Sequence, residues 1–147
     1  MAFARPPLSL KGRALRLLSQ REHSRAELER KLATHEEVPG TLAQALDELQ
    51  TKGFISEERV VESVIHRRAS KLGTARVQQE LLAKGLSSEA MAETLEQLRS
   101  TELERAREVW SRKFGEPSSD PKERARQMRF LLSRGFASEV VRKVTSP

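Results

Sequence analysis

Apolar residues recur along the chain at the three- and four-residue spacing of a helix face, and no stretch alternates with the period of two that a half-buried strand needs. Leu10, Ala14, Leu17 and Leu18 share one face of a helix predicted from Ser9 to Gln20. Leu28 and Leu32 carry the next helix. It opens on Ser24-Arg25-Ala26-Glu27, a capping box whose hydroxyl and carboxylate satisfy amides left over at a helix start. A third helix is expected from near Pro39, a favoured first-turn residue, to Gly53, with Leu42, Leu46 and Leu49 as its stripe.

The pattern then begins again. A helix opening at Ser56, with Glu57 and Glu58 complementing its N-terminus, buries Val61, Val64, Ile65 and Leu72 and ends at Gly73. Thr74 to Lys84 follows with Val77, Leu81 and Leu82 inward, then Ser88 to Arg99 with Met91, Leu95 and Leu98 inward. Thr101-Glu102-Leu103-Glu104 reads as a second capping box and breaks the chain there. Leu103, Ala106, Trp110 and Phe114 line one more helix, with both aromatics at core spacing. Residues 115–121, rich in Gly, Pro and Ser, read as a linker. Pro121 starts a helix with Ala125, Met128 and Leu132 inward, and Val140, Val141 and Val144 mark the last one.

One stretch is said twice. Leu81-Leu82-Ala83-Lys84-Gly85-Leu86-Ser87-Ser88-Glu89 returns as Leu131-Leu132-Ser133-Arg134-Gly135-Phe136-Ala137-Ser138-Glu139. Leucines end a helix, the cation suits the negative end of its dipole, and glycine supplies a left-handed cap. Leu86 or Phe136 plugs the corner, and Ser88 or Ser138 caps the next helix. Leu32, Leu42, Leu46 and Leu49 echo the spacing of Leu81, Met91, Leu95 and Leu98. The expected architecture is all-α: a flexible leader over 1–8, then three tandem helix-turn-helix-like repeats of three helices at 9–55, 56–100 and 101–147.

Composition narrows the function. Without Cys, disulfides, Cys-ligated zinc and thiol catalysis are excluded. No apolar run approaches the ~20 residues of a membrane span, and the first residues lack the apolar stretch of a signal peptide, so a cytoplasmic protein is expected. His23, His35 and His66 are not paired at helical spacing, the glycines form no phosphate loop, and the paired carboxylates sit in turns or first turns. Neither catalysis nor a cofactor is expected.

Lys and Arg remain. The net charge of +6 favours an anionic partner. Nine cations stand against seven carboxylates over 1–55, seven against seven over 56–100, and eleven against seven over 101–147. Three clusters recur near the repeats' turns: Arg13, Arg16, Arg21 and Arg25; Arg67, Arg68, Lys71 and Arg76; and Lys122, Arg126, Arg129 and Arg134. Each reads either as a solvated face or as a contact for phosphates or acidic protein surface. Equivalent positions in stacked repeats favour a shared surface.

The run from Ala14 to Leu32, ALRLLSQREHSRAELERKL, resembles the signature of the bacterial RecX family, regulators of the RecA recombinase. Lys71-Leu72-Gly73 with Arg76, Val77, Glu80, Leu81, Lys84 and Gly85 resembles its middle repeat, and Leu131, Leu132, Arg134, Gly135 and Phe136 its closing repeat. One departure stands out: where the family shows an acidic pair followed by an aromatic-Ala step, this chain reads Ser56-Glu57-Glu58-Arg59-Val60-Val61. The resemblance implies a non-enzymatic modulator built from tandem three-helix repeats, and an elongated, curved monomer is expected. It would bind RecA and the RecA–DNA filament, meet single- or double-stranded DNA through phosphates, and block filament extension. ATPase, strand exchange and coprotease activity would fall. The alternative is a tandem helix-turn-helix DNA-binding regulator without a RecA role.

Overall fold

The structure, a computed structural model, describes residues 8–147; the leader expected over 1–8 lies outside them except for Leu8. Among the described residues there are nine α-helices and no strand. They are α1 (Leu10–Gln20), α2 (Arg25–Leu32), α3 (Thr41–Thr51), α4 (Glu57–Arg68), α5 (Thr74–Ala83), α6 (Ser88–Ser100), α7 (Glu102–Lys113), α8 (Pro121–Ser133) and α9 (Ser138–Thr145). A single 3-10 turn, Ala33–His35, follows α2. The chain divides into two compact units. One ends at Val60 and takes in Lys84–Leu86; the other holds Val61–Ala83 and Ser87–Pro147.

In the first unit α1, α2 and α3 pack pairwise around Ala14, Leu28, Leu32, Leu42, Leu46, Leu49 and Ile55. The capping box at Ser24 forms as read: Glu27 N donates to Ser24 Oγ, and Ser24 N donates to Glu27 Oε1, both at 3.1 Å. The Ser24 hydroxyl also donates to the Lys84 carbonyl at 2.6 Å, which ties the distant segment 84–86 into this unit. Helix α3 starts later than the Pro39 signal suggested. Gly40 turns the chain at φ +90°, and Leu42 N donates to Glu36 Oε2 at 2.9 Å. A carboxylate from the preceding turn satisfies that helix start, which leaves Pro39 outside it.

In the second unit α7, α8 and α9 surround Ala106, Val109, Leu131, Phe136, Val141 and Val144. Of each leucine pair only the first is buried: Leu81 and Leu131 are fully enclosed, whereas Leu82 and Leu132 are 52% and 45% exposed. Successive helical side chains point about 100° apart, so when the first of a pair faces the core squarely its neighbour is turned toward the helix flank. The expectation that Leu82 and Leu132 point inward is therefore corrected. Val109 and Gln127 take buried positions that the periodicity did not single out.

Three other local expectations of helix capping change. Thr101 breaks α6 from α7, but its hydroxyl does not cap α7. Glu102 is buried instead, and its carboxylate accepts from Thr74 N at 2.7 Å and Ala137 N at 3.3 Å, where α5 and α9 begin. Ser87 rather than Ser88 caps α6, accepting from Ala90 N at 3.2 Å. At α9 the cap position belongs to Ala137, not Ser138.

Candidate nucleic-acid interface

Helix α4 ends at Arg68, five residues before the glycine expected to stop it, and residues 69–73 form a turn instead. Arg105, on α7, holds that turn. Its guanidinium donates to the carbonyls of Ala69 (3.0 Å), Leu72 (2.6 Å) and Leu98 (2.9 Å) and to the hydroxyls of Thr74 (3.1 Å) and Thr101 (3.2 Å). Burial pulls the Arg105 pKa below its usual value, against the raising charge of Glu102. About two turns further along α7, Arg112 donates to the Ser70 carbonyl at 2.8 Å. On the opposite wall Arg76 donates to the Ser133 carbonyl at 2.7 Å.

These anchors frame a cleft of about 960 Å³ in the second unit. Arg68, Lys71, Arg76, Arg112, Lys113 and Arg134 line it, and Glu80 is the one carboxylate among its lining residues. Arg76 and Arg112 each bond a main-chain carbonyl, which orients the guanidinium without neutralising it. Lys113 Nζ and Arg134 Cζ stand 4.7 and 4.8 Å from the centre of the Phe130 ring. Among the described residues Arg68 alone of the six cations has a carboxylate ion-pair partner, Glu80 at 3.4 Å. Six cations facing one carboxylate concentrate positive potential, the field a phosphate backbone meets favourably.

The sequence-predicted cations sort by their partners. In the first cluster Arg21 pairs with Glu27 at 2.7 Å, and Arg25 pairs with Asp47 at 2.6 Å and Glu29 at 3.1 Å. Both are committed to fold contacts; Arg13 is half-buried and Arg16 exposed on α1. From the second cluster Arg68, Lys71 and Arg76 reach the cleft, while Arg67 is exposed outside its lining. From the third only Arg134 does. Arg126 bonds Glu123 at 3.1 Å and lies 5.5 Å from the Phe114 ring centre, and Lys122 and Arg129 are exposed on α8 outside the cleft lining. Sequence reasoning missed Arg112 and Lys113, because two cations in the last turn of a helix are already explained by its dipole.

The histidine and aromatic positions read as packing. His23 is buried, with Nδ1 3.0 Å from the Arg21 carbonyl and Nε2 3.2 Å from Lys31 Nζ; burial lowers its pKa. Trp110 Nε1 donates to the buried Gln127 at 2.9 Å, and Gln127 donates on to the Glu116 carbonyl at 3.3 Å, which pins the 115–121 segment. Phe114 meets Phe130 edge-on at 5.5 Å. Among the described residues no cluster of three or more His, Asp or Glu gathers to hold a metal, and no helix is long and apolar enough to cross a membrane.

Helix trios, with a cation-lined cleft among the helices of the second unit, define an all-helical repeat protein. The chain belongs to the RecX family. It matches that family's first three-helix domain over residues 11–49, its second over 56–95 and its third over 100–145. It is 60% identical to a "Regulatory protein RecX" of Leptothrix cholodnii over 98% of this chain and 92% of that protein. A "Regulatory protein RecX" of Ralstonia nicotianae is 51% identical over 98% and 91% of the two chains. The fold is similar to a crystal structure of RecX from Lactobacillus salivarius, with a TM-score of 0.76 at 17% identity, over 92% of this chain and 91% of that one. A second crystal structure of regulatory protein RecX gives 0.75 at 20%, over 92% and 70%.

Proposed function

We propose that this protein is a cytoplasmic modulator of RecA, which binds the RecA–DNA filament, blocks its extension, and depresses ATP hydrolysis, strand exchange and coprotease activity. Membership of a family whose relatives are named regulatory proteins supports the regulatory role. The observation that carries the nucleic-acid contact is the cleft, where Lys71, Arg76, Arg112, Lys113 and Arg134 have no carboxylate partner among the described residues. Phosphates of single- or double-stranded DNA supply the missing charge, and the guanidiniums already anchored on carbonyls lose little freedom in meeting them. Each repeat, 9–55, 56–100 and 101–147, acts as one segment of the binding surface, and the protein works as a monomer. The remaining cations of the three clusters, Arg13, Arg16, Arg67, Lys122 and Arg129 among them, add weaker contacts outside that cleft.

The test is RecA's DNA-dependent ATPase. Sub-stoichiometric amounts of this protein should depress it, and an ATPase unmoved by a tenfold molar excess would refute the reading. A footprint on one DNA sequence at physiological salt would instead favour a tandem helix-turn-helix regulator.

A further inference from the structure

Glu80 sits where a cleft built for phosphates alone has no use for a carboxylate. It is the single acidic side chain among six cations, and it weakens their pull on any anion. Its Oε1 makes only a long contact of 3.4 Å with Arg68 Nε. Its Oε2 is shut off from solvent and has no hydrogen-bond partner among the described residues, so the group has lost water and gained nothing on that side.

A carboxylate offers acceptors only, so a ligand that suits it must bring N–H or O–H donors. Phosphodiesters bring none. Nucleobases do, through amino and imino groups on their Watson–Crick edges. The last torsion of a glutamate is broad and roughly two-fold, so a modest turn of the carboxylate presents the unused oxygen to the cleft. Arg134 and Gln79 line the same space, the first a planar guanidinium, set 4.8 Å from the Phe130 ring, that a base can lie against, the second a further polar partner. A volume of about 960 Å³ lies near the top of the roughly 300–1,000 Å³ range of small-ligand sites, enough for a nucleoside with phosphates on either side.

We propose that the cleft seats a nucleobase as well as phosphates, with Glu80 the acceptor that reads the base's N–H groups, so that it takes an unpaired nucleotide of a single strand. Duplex DNA hides those edges in base pairs. The proposal rests on the nucleic-acid reading above and adds to it a discrimination that charge alone does not provide.

The experiment compares two fluorescently labelled strands of equal length, one carrying all four bases and one wholly abasic, by anisotropy at fixed salt. The wild-type protein should bind the base-bearing strand about tenfold more tightly, the scale of one stacked and hydrogen-bonded base. Glu80→Ala should close that gap from both sides: removing the charge tightens the abasic strand, while losing the acceptor weakens the base-bearing one. Glu80→Gln, which keeps an uncharged acceptor, should fall between, and circular dichroism checks that each variant keeps its helices. Equal shifts for both strands in Glu80→Ala, or no wild-type preference, would overturn the base seat and leave the phosphate contact standing. Unchanged binding of both strands by an Arg76→Glu/Arg134→Glu variant would instead remove the cleft from nucleic-acid binding, and the seat with it.

Discussion

Gly73 and Gly135 touch backbone to backbone: Gly73 N donates to the Arg134 carbonyl at 2.8 Å, and a Cβ on Gly73 would stand 2.3 Å from the carbonyl of Gly135. Gly135 has φ +90°, the left-handed cap its position after Arg134 predicts, whereas Gly73 has no positive φ. Glycine at 73 is required by proximity, not by a helix end. The contact joins the turn after α4 to the turn after α8 and so brings Lys71 and Arg76 beside Arg134.

Gly73→Ala should therefore cost roughly 2–4 kcal/mol, because backbone on the far side cannot retreat as a flexible side chain would. Gly53→Ala meets nothing within 4 Å and carries only the strain of its φ of +83°, so it should cost about 1 kcal/mol. Urea melts of the two variants check the ordering.

Arg105 makes five hydrogen bonds from within the fold, and lysine cannot reproduce a planar fork. Arg105→Lys is expected to lose nearly as much stability as Arg105→Ala, roughly 3 kcal/mol, since either leaves main-chain carbonyls unpaired. A lysine variant melting with the wild type would show that charge alone holds the turn.

Glu27 sets an acid limb. Its burial favours the neutral carboxyl, yet the Arg21 guanidinium, the Ser24 amide and the Lys84 ammonium together bring its pKa down to about 2 from 4.5. The folded state therefore binds fewer protons than the unfolded chain between those values, and stability falls as pH drops through that window. Neutral, buried His23 works in the same direction below 6.5. With solvent screening at half-open Arg21 discounted, Glu27→Gln should cost about 1–2 kcal/mol at neutral pH and flatten the pH 2–4.5 limb. Denaturant midpoints measured across pH decide it.

The basic clusters should not weigh equally in binding. Arg76→Glu/Arg134→Glu is expected to weaken single-strand binding at least about tenfold and to reduce the log–log salt slope by roughly 1.4, two phosphate contacts at about 0.7 each. Lys122→Glu/Arg126→Glu/Arg129→Glu should change affinity less than about threefold, the scale of remote surface charges. Helix content should hold in both. The reverse ranking would move the binding surface to the exposed face of α8.

Periodicity and capping chemistry were enough to locate the helices and most of the buried stripe, because those depend on residues three or four apart. Ser24 with Glu27, Leu46, Leu81, Leu131 and the left-handed Gly135 are all legible from neighbours in the chain. A further copy of the turn is disguised in the sequence: Lys52-Gly53-Phe54-Ile55-Ser56-Glu57 ends α3 with bonds to the Leu49 and Gln50 carbonyls, like those Phe136 and Gly135 make to Leu131 and Leu132. There Ile55, not the residue beside glycine, is buried, and Phe54 stays 48% exposed.

The cleft was not legible in that way. Arg112 and Lys113 lie some forty residues from Lys71 in sequence and join it only because Arg105 and Glu102 bind the turns of other helices. A solvated cation and one held for a ligand look alike in a sequence. Only the fold shows that Arg21 and Arg25 have carboxylates and that, among the described residues, Arg76 and Arg134 have none, since charge pairing depends on distance through space.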